Sequence, residues 1–198
     1  MRRSEEIRSM LECVAPADRD AFVDRFLGLD SIPADTALPP QCVPYLPCPV
    51  DALLRLIDQV PVRESDVFVD VGCGVGRAAA LVELLTGART IGLEIQPALV
   101  ETSRALAACM PLGDFTALQM DASAPGAELP AGSIYFLYCP FSGPRLAQFL
   151  ANLEPHARRH SLHIACVDVT LPDRPWLELA RPIDRNLAIY RTNKSGPT

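Results

Sequence analysis

The sequence has no long hydrophobic run. No stretch approaches the roughly 18 consecutive apolar residues of a membrane span, so no membrane partner is expected. The opening MRRSEEIRSMLECV has two arginines but lacks the apolar run of about seven residues, with a small-residue cleavage site, that marks a secretory leader. A soluble, cytoplasmic protein is the expectation. The seven cysteines (13, 42, 48, 73, 109, 139, 166) contain no C-x-x-C pair, which argues against a zinc ribbon. Their odd number without a secretion signal points to reduced thiols rather than a disulfide framework. Positive charge is also short: 18 Lys and Arg stand against 24 Asp and Glu, for a net charge of -6. A nucleic-acid partner is therefore not expected, and basic or neutral substrates are favoured. Aromatic residues are only 6%, yet 49% of the chain is hydrophobic and 21% charged, which excludes a disordered tail. At 198 residues, one core with a modest extension is the expectation.

Hydrophobic spacing divides the chain. Ile7, Met10, Leu11 and Val14, then Phe22, Val23, Phe26 and Leu27 before Gly28, follow helical spacing and predict a two-helix arm. From Ser31 to Pro49 there are six prolines (33, 39, 40, 44, 47, 49), too many for a helix or a central strand. This stretch reads as an extended linker, making residues 1–48 a separable arm and 49–198 the main domain. A helix with Leu53, Leu54, Ile57 and Val60 on one stripe follows.

Strand then alternates with helix. Strands are predicted at 66–71, 90–95, 115–120, 133–138 and 161–169, with helices at about 75–86, at 97–109 and from Pro144. Residues 124–133, rich in Pro and Gly, leave no room for a helix between the third and fourth strands. WLELARPIDRNLAIYRT reads as two strands around a turn near 182–186. The fold class is therefore α/β: a doubly wound, mostly parallel, seven-stranded sheet with a C-terminal antiparallel hairpin, plus a helical N-terminal arm. A ligand belongs at the carboxyl ends of the strands, at the topological switch point.

The sharpest local signal is VFVDVGCGVGR. Gly72, Gly74 and Gly76 follow a strand and open a helix, so backbone can pass close to a ligand and offer N–H groups at a positive helix end. A tight turn without a ligand would use the same glycines. Glu94 ends the second strand, where a carboxylate can accept hydrogen bonds from both hydroxyls of a ribose. Asp121 ends the third strand, where an adenine amino group would arrive. The nicotinamide pattern G-x-G-x-x-G needs a small residue where this chain has Arg77, which opposes a dehydrogenase. YCPF (138–141) closes the fourth strand: Pro140 ends the ladder, and Tyr138 and Phe141 can face a cation through their rings, or be plain core. Pro155 and the following strand separate His156, His160 and His163, so no metal site is expected.

The spacing D-x-G-x-G-x-G opened by Asp70 resembles motif I of class I S-adenosylmethionine-dependent methyltransferases. Glu94 in IGLEIQP, Asp121 in QMDAS, YCPF and the closing hairpin extend the resemblance over about Pro49 to Thr198. The wording YLPCPVDALLRLI, DVFVDVGCGVGR and FLYCPF is similar to small bacterial methyltransferases with an Asn-Pro-Phe signature, and more distantly to nucleosomal lysine methyltransferases that lack a SET domain. The resemblance implies S-adenosyl-L-methionine as cofactor, held by Asp70, Gly72, Cys73, Gly74, Gly76 and Arg77 of motif I. Glu94 with Ile95, Asp121 with Ala122, and Tyr138 would complete that set, with Tyr45 as a lid over the cofactor. It places the acceptor side at Tyr138, Cys139, Pro140 and Phe141, and implies a protein lysine or small-molecule amine as acceptor. The chain departs from its relatives at Cys139, where they carry Asn, and loses an amide able to hold an amine. A cofactor-binding protein without turnover is the alternative reading, with a nicotinamide-dependent oxidoreductase behind it. Residues 1–48 are expected to cover the pocket.

Overall fold

A computed structural model describes residues 2–34, 38–110 and 113–193; residue 1, residues 35–37 of the linker, 111–112 and 194–198 lie outside the described residues. Five short, branched or aromatic runs form parallel strands: β1 (Val67–Val71), β2 (Arg89–Glu94), β3 (Phe115–Gln119), β4 (Ile134–Tyr138) and β5 (His163–Val167). β6 (Leu177–Leu179) and β7 (Leu187–Thr192) pair with each other, and β7 runs antiparallel to β5. The order is β3-β2-β1-β4-β5-β7-β6. Chain direction across the sheet therefore reverses between β1 and β4, and this leaves a crevice at their carboxyl ends.

Alternation along β1 and β4 feeds two cores. Phe68, Ile134 and Phe136 face the side covered by α3 (Val50–Gln59) and α4 (Arg77–Thr86), and Phe68 stacks on Phe136. Val69, Val71, Tyr135 and Leu137 face α6 (Gly143–Ala157), whose Leu146, Phe149, Leu150 and Leu153 are buried as their spacing predicts. α5 (Pro97–Cys109) crosses from β2 to β3. No helix occurs between β3 and β4. That loop is pinned by the buried Tyr135, whose hydroxyl donates to the Pro130 carbonyl (2.7 Å) and accepts from the Gly132 amide (3.0 Å). On α3 the buried stripe is Val50, Leu53, Leu56 and Val60, so Leu54 and Ile57 sit at its margin, one position from the predicted stripe.

Two expectations need correction. Pro155 does not end α6: it is carried inside the last turn, so His156 is helical and its Nε2 lies 3.0 Å from the Gly132 carbonyl. No group of three metal-ligating side chains occurs among the described residues. The second concerns residues 1–48: their linker end lies over the strand tips, but the helices α1 (Arg2–Cys13) and α2 (Arg19–Leu27) lie along the back of the sheet against α4. Leu11, Val23 and Leu27 are buried in the same cluster as Leu81 and Phe68. The arm shares the core because the α4 face is apolar on both sides and needs a cover.

Candidate functional site

At the carboxyl ends of β1, β2, β3 and β4 lies one cavity. Its floor is Val71, Gly72, Leu93, Glu94 and Ile95; one wall is Met120, Asp121 and Ala122, the other Tyr138 to Phe141; its roof is linker, from Leu38 and Cys42 to Leu46. The structure thus brings Tyr45, Gly72, Glu94, Ile95, Asp121, Ala122 and all of YCPF to one place. Among the described residues only linker residues of the first 48 reach it; the arm helices do not.

The glycine turn works by closeness. Gly72, Gly74 and Gly76 all have positive φ (78, 55 and 81°), which favours glycine. A Cβ on Gly74 would collide with the ring of Tyr45, and one on Gly72 with Pro140. Its N–H groups, expected to face a ligand, are committed internally: Gly72 and Cys73 donate to the Leu93 carbonyl, Gly74 to Glu94 Oε2 (2.9 Å) and Gly76 to the Cys73 carbonyl. Cys73 is a buried filler against Gly92, its thiol pushed up by burial.

Glu94 is only 7% exposed and ties the site together. Its Oε1 accepts from the Ile95 (2.8 Å) and Gln96 (2.9 Å) amides, while Oε2 accepts from Gly74 and keeps capacity for a second donor. Asp121 is more heavily engaged: Oδ1 accepts from the Ser123 amide (2.9 Å) and hydroxyl (2.6 Å), and both oxygens accept from Arg145 (3.0 and 3.2 Å). Burial opposes its charge, yet the bonds from Ser123 and Arg145 hold its carboxyl below the ordinary range.

Two predicted residues point elsewhere. Asp70 is 3% exposed and faces α4, where its carboxylate accepts from the Ala79 amide in the first turn, while Oδ2 has no partner among the described residues. Burial, with some repulsion from Glu94, raises its carboxyl to about 7. Arg77, 2% exposed, points to the arm: Nε donates to Asp24 (2.5 Å), Nη1 to the Cys48 carbonyl (2.5 Å) and Nη2 to Asp20 (2.9 Å). Its role is to hold α2 and the end of the linker onto α4.

In the YCPF segment, Phe141 is 6% exposed and packs on Phe149 at 5.8 Å, so only its rim meets the cavity. Tyr138 is half-buried, and burial pushes its hydroxyl up to about 12. Cys139 has φ 37°, a left-handed conformation that cysteine rarely adopts and asparagine tolerates. Sequence reasoning missed Arg145 and Ser123, and also Asp168 at the tip of β5, whereas Tyr45 and the linker lie over the cavity where a lid was expected. The register pairs Tyr138 with Val167, so Asp168 is the neighbour of Cys139, and its charge helps burial raise that thiol. Nothing local marks Arg145 or Asp168, since their partners lie more than fifteen residues away.

No family model and no curated protein matches this chain. Solved structures do. An RNA methyltransferase from Salinibacter ruber, in complex with S-adenosyl-L-homocysteine, is 25% identical, with a TM-score of 0.52 over 74% of this chain and 92% of that one. The Escherichia coli protein yhhF is 15% identical, with a TM-score of 0.58 over 81% of this chain and 90% of that one. A SAM-dependent methyltransferase from Aquifex aeolicus is 15% identical, with a TM-score of 0.53 over 71% and 88%. The seven-stranded mixed sheet, its strand order and its closing antiparallel pair are those of the Rossmann-like methyltransferase fold.

Proposed function

We propose that the chain is an S-adenosyl-L-methionine-dependent methyltransferase. The observation that carries this reading is the switch-point cradle: a glycine turn with no room for Cβ atoms, crossed by a buried carboxylate, Glu94, that retains an acceptor position on the cavity floor. The residues fit a nucleoside thioether. Glu94 Oε2 would accept from a ribose hydroxyl, Ile95 and Leu93 would pack on the sugar, and Asp121 and Ala122 would meet the adenine edge. When bound, the cofactor supplies a methyl group on a positively charged sulfur.

The protein's own contribution is positioning. The Tyr138–Phe141 segment and Tyr45 would fix an acceptor against the cofactor, and the linker roof would exclude water. The proposed acceptor is an amine, on a protein lysine or a small molecule. Asp168, exposed beside Cys139, would favour a cationic group, and the net charge of -6 disfavours a nucleic-acid backbone. No helix among the described residues is long and apolar enough to cross a membrane, and the proposed setting is the cytoplasm.

Titration calorimetry with S-adenosylhomocysteine and with NADH, followed by incubation with methyl-labelled cofactor and fractionated cell extract, tests the proposal. Binding of the thioether alone, and label in protein or in an amine, are expected. Thioether binding with no transfer would leave a non-catalytic cofactor-binding protein, and binding of NADH alone would overturn the assignment.

A further inference from the structure

The linker lies over the cavity as a strap zipped to the YCPF segment. Cys42 forms an antiparallel bridge with Phe141; the Val43 amide donates to the Pro140 carbonyl (3.1 Å), and the Ser142 amide donates to the Gln41 carbonyl (3.1 Å). The space beneath is about 60 Å³. Sites for ligands of nucleoside size and above enclose roughly 300 Å³ or more. The strap, seated as it is, leaves less room beneath it than a ligand of that size fills.

One side chain ties the strap down. Arg145, in the first turn of α6, donates from Nη1 to both oxygens of Asp121 (3.0 and 3.2 Å) and to the Ser123 hydroxyl (2.6 Å). From Nε it donates to the Pro40 carbonyl of the strap (3.1 Å). A single guanidinium thus joins three segments far apart in sequence: the strap, the tip of β3 and the start of α6. The Arg145 and Asp121 side chains are 22% and 28% exposed, so solvent screens the pair less than an open surface pair. The planar fork satisfies carboxylate and carbonyl together, which a lysine ammonium cannot do with the same geometry.

We infer that Arg145 is a positioning residue: it latches the strap to the β3 tip, so that the Asp121 side and the YCPF side of the cavity close as one unit. The ligand under the latch rests on the proposed function, whereas the latch itself is a property of the free chain. Asp121 is therefore more than a ligand contact, because its carboxylate is also the keeper of the latch. A ligand arriving at Asp121 meets the same group that holds the roof.

Hydrogen exchange read by mass spectrometry on the full-length chain tests the inference without ligand. In Arg145→Ala, exchange of the Val43 and Ser142 amides should rise by about tenfold or more while the β1 and β4 amides stay as in the wild type. Arg145→Lys should fall between the two. If Arg145→Ala fails to fold, Ser123→Ala, which removes the Ser123 hydroxyl's bonds to Asp121 and from Arg145 but leaves the Arg145–Asp121 pair and the bond to Pro40, should give a smaller rise at the same amides. With S-adenosylhomocysteine bound, release measured by stopped flow should be about tenfold faster in Arg145→Ala, partly restored in Arg145→Lys. Unchanged Val43 and Ser142 exchange, or a rise shared equally by the sheet, overturns the latch. Failure of the wild type to bind the thioether would strike the proposed function, and the exchange arm would still decide the latch.

Discussion

Replacing Arg77 by alanine separates a structural arginine from a cofactor-binding one. The guanidinium is 2% exposed, and removing it leaves the Cys48 carbonyl without its donor and takes a donor from Asp24 and from Asp20, whose Oδ1 still accepts from the Val50 amide. The buried Cys48 carbonyl, left unpaired, costs about 1–3 kcal/mol. The carboxylates cost less, because Asp20 and Asp24 are 53% and 36% exposed and can rehydrate. The lost side-chain stem adds a cavity between α4 and α2. A total of about 3–5 kcal/mol is expected, the scale seen when one partner of a buried pair is removed, and a large part of a typical domain's 5–15 kcal/mol. Urea denaturation followed by circular dichroism, with calorimetric titration of S-adenosylhomocysteine on the folded variant, reads both quantities. Stability should fall by that amount while affinity changes less than about threefold. A loss below about 1 kcal/mol, or an intact fold with affinity down tenfold, would return Arg77 to the ligand site.

Three further outcomes follow from the site. Gly74→Val should abolish binding of S-adenosylhomocysteine, because the new side chain must displace the Tyr45 ring and strain a φ of 55°; normal binding by a folded variant would reduce the loop to a turn. Asp70, with its carboxyl raised to about 7 by burial, binds its proton more tightly folded than unfolded, so its stabilising contribution is full below about pH 4 and is lost as pH rises through 7. Asp70→Asn should therefore raise the melting temperature at pH 8 and flatten its decline between pH 5 and 8, and a thermal melt series showing the wild-type slope unchanged would refute this. Cys139→Asn should be neutral to stabilising by about 0.5–1 kcal/mol, because asparagine tolerates the φ of 37°; clear destabilisation in chemical melts would show that the thiol's packing outweighs the backbone strain.

The sheet was legible because parallel strands buried on both faces must be short, continuous apolar runs, as VFVDV and IYFLY are, and because glycines at 72, 74 and 76 have few uses outside a strand-to-helix turn. The hairpin was legible from two apolar runs around Pro182 to Asn186, and Glu94 from its place at a strand end. Sequence alone could not say which groups those residues would face. Whether Arg77 meets a ligand or the arm, whether the glycine amides are free or spent on Leu93 and Glu94, and whether Asp121 stands open or under Arg145 depend on partners from other segments. Local spacing determines the elements, since helix and strand periods are properties of neighbouring residues. Only the folded chain brings Pro40 and Asp121 within hydrogen-bond reach of Arg145, and that long-range convergence decided the character of the site.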